Sequence, residues 1–133
     1  MEERLKAIKE IFRRYRQNKQ QLAGLSMPSL QAVAYDKIAV KTDKSVNAQE
    51  ERMVAYLQQK QRLEQEIALV DRLYEYYADE RNEELAKLID LRFRQGKFHY
   101  QAVSSLYVSD RQGFRLLDEA YKKAIGLAEQ LQM

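Results

Sequence analysis

The sequence has 133 residues, a formal net charge of +3 and no cysteine, which excludes disulfide bridges, thiolate metal sites and cysteine nucleophiles. Its hydrophobic fraction of 45% is too high for a disordered chain, and one Pro with four Gly leaves few breaks for a sheet protein. No apolar run reaches the roughly 18 residues of a membrane span, and the opening MEERLKAIKE is charged. We therefore expect an all-α, cytoplasmic protein that makes no contact with a membrane.

Charge is unevenly distributed along the chain. Residues 1–48 carry 10 Lys and Arg against 5 Asp and Glu, residues 49–81 carry 5 against 8, and residues 82–133 carry 8 against 7. The ends are therefore basic and the middle is acidic. This pattern permits contacts with phosphate at the ends, but it falls short of a strong nucleic-acid signature.

Two segments place apolar residues at alternating steps of three and four, the spacing of a coiled-coil seam. The first seam lies on one long predicted helix and consists of Leu5, Ile8, Phe12, Tyr15, Lys19 and Leu22. The second is more persistent and consists of Met53, Tyr56, Lys60, Leu63, Ile67, Val70, Tyr74 and Tyr77. Because a helix cannot bury its own apolar stripe, we predict a long antiparallel helical hairpin or coiled-coil-like helices that meet in a dimer contact, and we expect a homo-oligomer.

A region without helical periodicity separates the two seams. Residues 24–48 contain the only Pro, and we interpret them as an irregular linker within a helical hairpin and oligomerisation region that spans residues 1–81. Asn47 is the predicted N-cap of the second long helix, with Glu50 completing a capping box and Glu51 in the first turn.

Residues 82–133 are predicted to form a separate module of three helices. The first runs from Asn82 to Arg94, and Gly96 is placed to end it. Residues 98–106 form a short second helix, and Ser109 offers a hydroxyl N-cap to the last one. Apolar or small faces are predicted for the first helix at Leu85, Leu88, Ile89 and Phe93, and for the last at Gly113, Leu117, Ala120, Ala124, Leu127 and Leu131.

The last two helices show the pattern of a helix-turn-helix, in which a few apolar and small positions fix the angle between the helices. The apolar positions are occupied by Ala102, Leu106, Val108 and Leu116. Val103 stands where such motifs usually have Ala or Gly, and Gly113 stands where they usually have a bulky aliphatic residue. We expect these two departures to compensate, since the contact volume stays nearly constant. Tyr107 also departs, because a turn position with positive φ favours Gly, which predicts a distorted or longer turn.

The outward face of the last helix carries side chains suited to the major groove of DNA. Arg can bind guanine with two hydrogen bonds, Gln can pair with adenine, and an aromatic ring can meet a thymine methyl. The candidates on this helix and its cap are Ser109, Arg111, Gln112, Phe114, Arg115 and Lys122. Phosphate contacts are predicted for Lys97, Tyr100, Gln101 and Ser104. The alternative is a solvated charged face, since acidic residues lie beside the Arg side chains at Asp110, Asp118 and Glu119.

Two stretches of the sequence carry a resemblance to known regulators. Residues 88–124, LIDLRFRQGKFHYQAVSSLYVSDRQGFRLLDEAYKKA, resemble the fourth conserved region of bacterial sigma factors, with LYVS where that region commonly has Leu-Gly-Val-Ser. Together with YDKIAVKTDKSVNAQEERMVAYLQQKQRLEQEIALVDRLYEYY ahead of it, the order of segments over residues 33–130 resembles the ArpU/RinA group of phage and prophage transcriptional regulators. The resemblance implies binding to double-stranded DNA upstream of phage late or packaging genes, with contact to RNA polymerase.

The sequence offers little for catalysis. His99 is the only His, and Gly96 occupies the position three before it, where a ferritin-like di-metal site needs Glu. Neither a Gly-rich phosphate loop nor a Ser-His pair with an orienting acid is recognisable. We interpret His99 as a surface residue at a helix start and the Glu pairs at 50–51 and 83–84 as first-turn acids. We expect no enzymatic activity, no metal and no cofactor.

Two alternatives to a transcriptional regulator follow from the same residues. One is a non-catalytic helical adaptor that binds other proteins, and the other is a phage DNA-packaging subunit that uses the same bend on DNA. The seams are compatible with all three functions. The cluster RRYR at residues 13–16 is equally compatible with phosphate binding and with an exposed helix face.

Overall fold

The computed structural model describes residues 2–26, 43–79 and 82–133, with the side chains of the long central helix described from residue 47 onward. Its elements in chain order are α1 (Glu2–Arg13), α2 (Tyr15–Gly24), α3 (Asp43–Asp79), α4 (Glu83–Ile89), the π-helix π1 (Asp90–Arg94), α5 (His99–Ser105) and α6 (Asp110–Gln130). These ranges contain no strand, which confirms the predicted all-α class for the described residues. None of their helices has an apolar run of the length that a bilayer crossing requires.

Residues 2–24 form two successive helices instead of the one long helix that the first seam predicted. The break lies at Arg14, whose backbone (φ −83°, ψ 0°) departs from helical geometry. Hydrogen bonds still run from Arg14 N–H to Glu10 O (3.0 Å) and from Asn18 N–H to Arg14 O (2.6 Å). At the same point the Arg14 guanidinium donates to Glu66 of α3 (2.8 Å), so the break coincides with a contact to α3 that a helical pattern alone does not show.

The helix α2 packs antiparallel against the second half of α3. The Tyr15 hydroxyl donates to Asp71 Oδ1 (2.7 Å), whereas Asn18 Nδ2, one turn later in α2, donates to Glu66 Oε1 (3.2 Å), nearer the start of α3. Glu66 is buried and forms an ion pair with Arg14. A buried carboxylate is tolerated here because its charge is both paired and hydrogen-bonded.

The second seam is buried over only part of its length. Its residues between Leu63 and Tyr77 are buried or half-buried within the chain's own core, and Leu69 and Leu73 beside them are buried as well. Burial decreases toward the N-terminus of α3, where two apolar side chains are 51% and 52% exposed, Val54 and Leu57. The first half of α3 therefore presents apolar surface that the described residues leave uncovered.

The start of α3 differs from the prediction. The helix begins at Asp43, so Asn47 lies inside it and is not its N-cap. No Gly or Pro separates Asp43 from Asn47, and an acidic residue in the first turn is stabilised by the helix dipole, which explains the earlier start. Of the predicted linker 24–48, residues 27–42 lie outside the described residues.

One hydrophobic core joins the N-terminal helices to α3 and the C-terminal helices. Phe12 of α1 is fully buried and makes edge-to-face contacts with Phe93 of π1 (5.1 Å between ring centroids) and Tyr121 of α6 (5.4 Å). The division into residues 1–81 and 82–133 stays a prediction, but the core crosses that boundary at these three rings.

The segment predicted as one helix from Asn82 to Arg94 is occupied by α4 and π1. Its predicted apolar face is buried at Leu85, Leu88, Ile89 and Phe93. The widening of the last turn to a π-helix was not predicted. That turn closes with a bond from Gln95 N–H to Asp90 O (2.8 Å), and Gly96 follows with φ +74°, a left-handed conformation that ends helices.

Candidate nucleic-acid interface

The helix α5 begins after Phe98, and a side chain caps its first turn. The Phe98 backbone is extended (φ −68°, ψ 155°), and its N–H donates to Gln101 Oε1 (3.1 Å). The exposed Phe98 and Tyr100 rings stack nearly parallel, with 6.0 Å between centroids. Lys97 precedes them and is exposed, and Ser104 lies one turn beyond Tyr100. The four predicted phosphate contacts therefore come from one short stretch.

The turn between α5 and α6 has the geometry of a Schellman motif. Tyr107 N–H donates to Ser104 O (3.2 Å), and Val108 N–H donates to Val103 O (3.1 Å). Tyr107 adopts φ +59° and is 96% exposed. The expectation of a distorted or longer turn is therefore wrong. The left-handed backbone of Tyr107 is strained for a residue other than Gly. The exposed Tyr107 nevertheless adopts it, and the turn keeps its regular hydrogen bonds.

The helices α5 and α6 approach closely where Val103 faces Gly113. Both residues are buried, and a methyl group added at Gly113 would overlap Val103 Cγ1 and lie 2.9 Å from His99 Cε1. The larger side chain on α5 thus fills the space left on α6, which confirms the predicted compensation. The predicted apolar positions are buried at Ala102 and half-buried at Leu106, Val108 and Leu116.

His99 is the first residue of α5 and links that helix to the start of α6. The Asp110 backbone carbonyl can only accept, so His99 Nε2 donates in their 3.0 Å hydrogen bond. The imidazole stacks on Phe114 with 3.8 Å between ring centroids and 12° between planes. His99 Nδ1 is buried and has no hydrogen-bond partner among the described residues. The predicted surface His is therefore half-buried, and it positions α6 relative to α5.

The start of α6 matches the prediction. Ser109 is its N-cap, and the Ser109 hydroxyl oxygen accepts from Gln112 N–H (3.1 Å). Arg111 and Arg115 follow one helical turn apart, and both are exposed. Lys122 lies two further turns along and is also exposed. The buried side of α6 faces the core through Gly113, Leu117, Ala120, Tyr121, Ala124 and Ala128.

All the residues predicted to contact DNA are exposed, namely Lys97, Tyr100, Gln101, Ser104, Ser109, Arg111, Gln112, Phe114, Arg115 and Lys122. Some of them also have a structural role. The Gln101 and Ser109 side chains cap helices, and one face of the Phe114 ring is taken by His99. Lys122 is set apart from the others, because it lies in the middle of α6.

Three Arg residues that the sequence did not assign to a site lie beside this surface. Arg13, Arg16 and Arg92, together with Lys97, line a cavity of about 450 Å³, which we call the basic pocket. Burial raises the pKa of Tyr121, whereas the positive charges of Arg92 and Arg13 act in the opposite direction. The charges of Arg13 and Arg16 are visible in the sequence as part of the RRYR cluster. Their position beside Arg92 and Lys97 depends on how α1 and α2 pack against π1.

Within the described ranges, no three His, Cys, Asp or Glu side chains come together as a metal site requires. Comparison of the chain with protein-family models, with curated proteins and with solved structures finds no match in any of the three.

Proposed function

We propose that the chain is a non-catalytic DNA-binding protein in which α5, the turn and α6 form a helix-turn-helix. The observation that carries the proposal is the fixed junction between the helices, with Tyr107 left-handed in a Schellman turn and Val103 seated against Gly113. Proteins with this motif place the start of the second helix in the major groove. The start of α6 is exposed and free of large apolar side chains except Phe114.

The side chains on α6 supply the chemistry that base recognition needs. Arg111 and Arg115 are separated by a rise of about 6 Å, close to two base-pair steps, so both can reach neighbouring base edges. Gln112 can pair with adenine, and the free face of Phe114 can meet a thymine methyl. Lys97, ahead of α5, would hold a phosphate and set the register of the protein on the duplex.

We extend the proposal to the class that the resemblance suggests, a cytoplasmic phage or prophage transcriptional regulator of the ArpU/RinA type that contacts RNA polymerase. The segment that resembles sigma factor region 4, residues 88–124, ends in the helix pair with the close junction described above. A homo-oligomer forms part of the proposal, because Val54 and Leu57 leave apolar surface on α3 for a second copy.

The test of base recognition is a fluorescence titration on a duplex selected from random sequences and on a scrambled duplex, at several salt concentrations. Arg115→Ala should cost about 1–3 kcal/mol of binding free energy and relax the preference at one base position. Lys97→Ala should weaken both duplexes alike and lower the salt slope by about 1. Arg72→Ala, at an exposed position of α3, is the matched control and should bind as the wild type does.

Either of two results would contradict the assignment of α6 to base recognition. One is equal affinity of the wild type for the selected and scrambled duplexes, and the other is wild-type binding by Arg115→Ala. Circular dichroism should show that all three variants keep their helical content, since the substituted side chains are exposed.

The second candidate is a helical adaptor, and the exposed aromatic surface favours it. Four large aromatic side chains are exposed in residues 98–114, namely Phe98, Tyr100, Tyr107 and Phe114. Aromatic residues are enriched where proteins meet. Absence of duplex binding at low salt would favour the adaptor, since DNA binding requires salt-sensitive attraction. A phage DNA-packaging subunit shares duplex binding with the regulator, and a transcription assay separates those two.

A further inference from the structure

Four positive side chains from separate parts of the chain line the basic pocket. Arg13 belongs to α1, Arg16 to α2, Arg92 to π1, and Lys97 to the loop before α5. Among its described lining residues there is no Asp or Glu. Within the described ranges only Arg13 of these four has an ion-pair partner, Glu10 at 3.1 Å, and exposed pairs of this kind hold a charge weakly. The positive charge of the pocket is therefore largely uncompensated.

A neighbouring cavity of about 420 Å³ differs from the basic pocket in the charges that line it. It is also lined by cationic side chains, namely Lys19, Arg94 and Arg16, the last of which lines both cavities, but Asp90 lines it as well. Arg94 Nε lies 3.5 Å from Asp90 Oδ1 and 3.6 Å from Asp71 Oδ1, so its charge is neutralised within the fold. An anion would meet a carboxylate in this cavity and meets none among the described residues that line the basic pocket.

The Arg16 side chain lies against Gly96. A methyl group added at Gly96 would overlap the Arg16 guanidinium and lie 2.8 Å from Arg16 Cδ, so the side chain runs directly across this glycine. Gly96 is also left-handed, with φ +74°. Arg16 is therefore packed against the same loop that carries Lys97, and α2 supplies charge at the start of α5.

The positive charge supplied by α1 and α2 matters because the C-terminal residues have little net charge of their own. Residues 82–133 carry 8 Lys and Arg against 7 Asp and Glu, so by themselves they offer little net attraction to a polyanion. Arg13 and Arg16 add two positive charges beside Lys97. A site lined by one sign of charge concentrates the field and attracts the opposite charge.

We propose that the basic pocket binds phosphate groups of the duplex backbone, so that α1 and α2 contribute directly to the DNA-binding surface. The inference rests on the proposed function, because it assigns a further contact to the same surface. Lys97 belongs both to this pocket and to the predicted phosphate contacts, and the pocket extends to His99, which stacks on Phe114 of α6. A phosphate held here would lie beside the backbone that α5 crosses.

The experiment measures the dependence of duplex affinity on salt for the whole chain. Each neutralised phosphate contributes about 0.9 to the slope of log affinity against log salt, so Arg16→Gln with Arg92→Gln should reduce the slope by roughly 1.8. The control, Lys6→Gln with Arg72→Gln, removes the same charge from exposed positions outside the pocket and should change the slope much less. Arg16→Lys with Arg92→Lys keeps the charge and should retain most of the slope.

The outcomes separate this inference from the proposed function. A wild type that prefers its selected duplex, with the same slope in the Gln double variant, would overturn the basic pocket and leave recognition by α6 intact. A wild type that binds no duplex would overturn both. If the double variant fails to fold, as judged by circular dichroism, Arg92→Gln alone should lower the slope by roughly 0.9, and an unchanged slope would overturn the inference.

A second titration, with inorganic tripolyphosphate, distinguishes a duplex from a small free polyphosphate. Saturable binding of tripolyphosphate that the Gln double variant abolishes, together with an unchanged duplex slope, would assign the pocket to free polyphosphate and overturn the duplex contact. A reduced duplex slope with weak tripolyphosphate binding is the expected result.

Discussion

At the scale of single residues, the pair Val103 and Gly113 determines how closely α5 and α6 approach. The valine methyl group occupies the volume in which a side chain at Gly113 would lie. Replacing a helical Gly by Ala ordinarily stabilises a helix by about 1 kcal/mol. At this position the steric cost opposes that gain, because the added methyl group meets Val103 and His99.

We predict that Gly113→Ala destabilises the fold by about 1–3 kcal/mol, the usual cost of overpacking a filled core. In the background of Val103→Ala the same substitution should cost less, because the severest overlap is removed and only the contact with His99 remains. The two sites should show a coupling energy of about 0.5–3 kcal/mol in a double-mutant cycle measured by urea unfolding.

The matched control for this cycle is Gly126→Ala, in the same helix. A Cβ at Gly126 meets nothing within 4 Å, so only the gain in helix propensity applies and the variant should be more stable than the wild type. Equal effects of Ala at positions 113 and 126 would contradict the close contact between α5 and α6.

At the scale of elements, the α3–α6 contact contains a buried phenol. Burial raises the pKa of Tyr77 to about 12 from its ordinary value of 10.0, and the negative charge of Glu119 on α6 adds to the shift. The folded protein therefore keeps the Tyr77 proton at a pH where the unfolded chain has lost it. Ionisation favours the unfolded state, so the stability contributed by this group is complete below pH 10 and is lost as the pH rises from 10 to 12.

We predict that the free energy of unfolding of Tyr77→Phe falls less than that of the wild type over this pH interval. The decline should not vanish, because Tyr121, whose pKa burial also raises, is still present. Urea unfolding followed by circular dichroism at a series of pH values measures the difference. Tyr56→Phe, at a half-buried position in the first half of α3, is the control and should follow the wild type. Parallel curves for Tyr77→Phe and the wild type would contradict the prediction.

The sequence predicted those features that depend on residues close to one another along the chain. The Ser109 cap, the apolar face of α4 and π1, and the compensation between Val103 and Gly113 all follow from side-chain size and spacing. The break at Arg14 was not predictable in this way, because it coincides with a contact to Glu66, far away in the sequence. The basic pocket was missed for the same reason, since Arg16 and Arg92 become neighbours only through tertiary packing.

At the scale of the whole molecule, the fold changes how self-association can be tested. Ile67 lies in the second seam, but it is buried against the chain's own core, so a charge there would destabilise the fold whether or not a second copy binds. Among the described side chains of α3, the large apolar residues that stay more than half exposed are Val54 and Leu57. They are therefore the positions at which a contact between copies can be weakened without disturbing the core.

We predict that Val54→Glu with Leu57→Glu lowers the molar mass measured by light scattering and leaves the melting temperature of the dissociated chain unchanged. A charge at an apolar contact is strongly disfavoured, whereas the same charge on an exposed helix face costs little. Gln59→Glu, at an exposed position on the opposite side of the helix from Val54 and Leu57, is the control and should leave the mass unchanged. A wild type that is monomeric at high concentration would remove the oligomer from the proposed function.

The contact of Phe12 with Phe93 and Tyr121 also has a consequence for the order of synthesis. A ribosome makes α1 long before π1 and α6, so Phe12 leaves the exit tunnel while both of its aromatic partners have yet to be translated. During that interval the first helix exposes an apolar face that only distant residues can cover, and such exposed surface makes a nascent chain prone to aggregation. The contact between Phe12 and Tyr121 can form only once Tyr121 has emerged, so the core around these rings stays incomplete until the α6 segment has been translated.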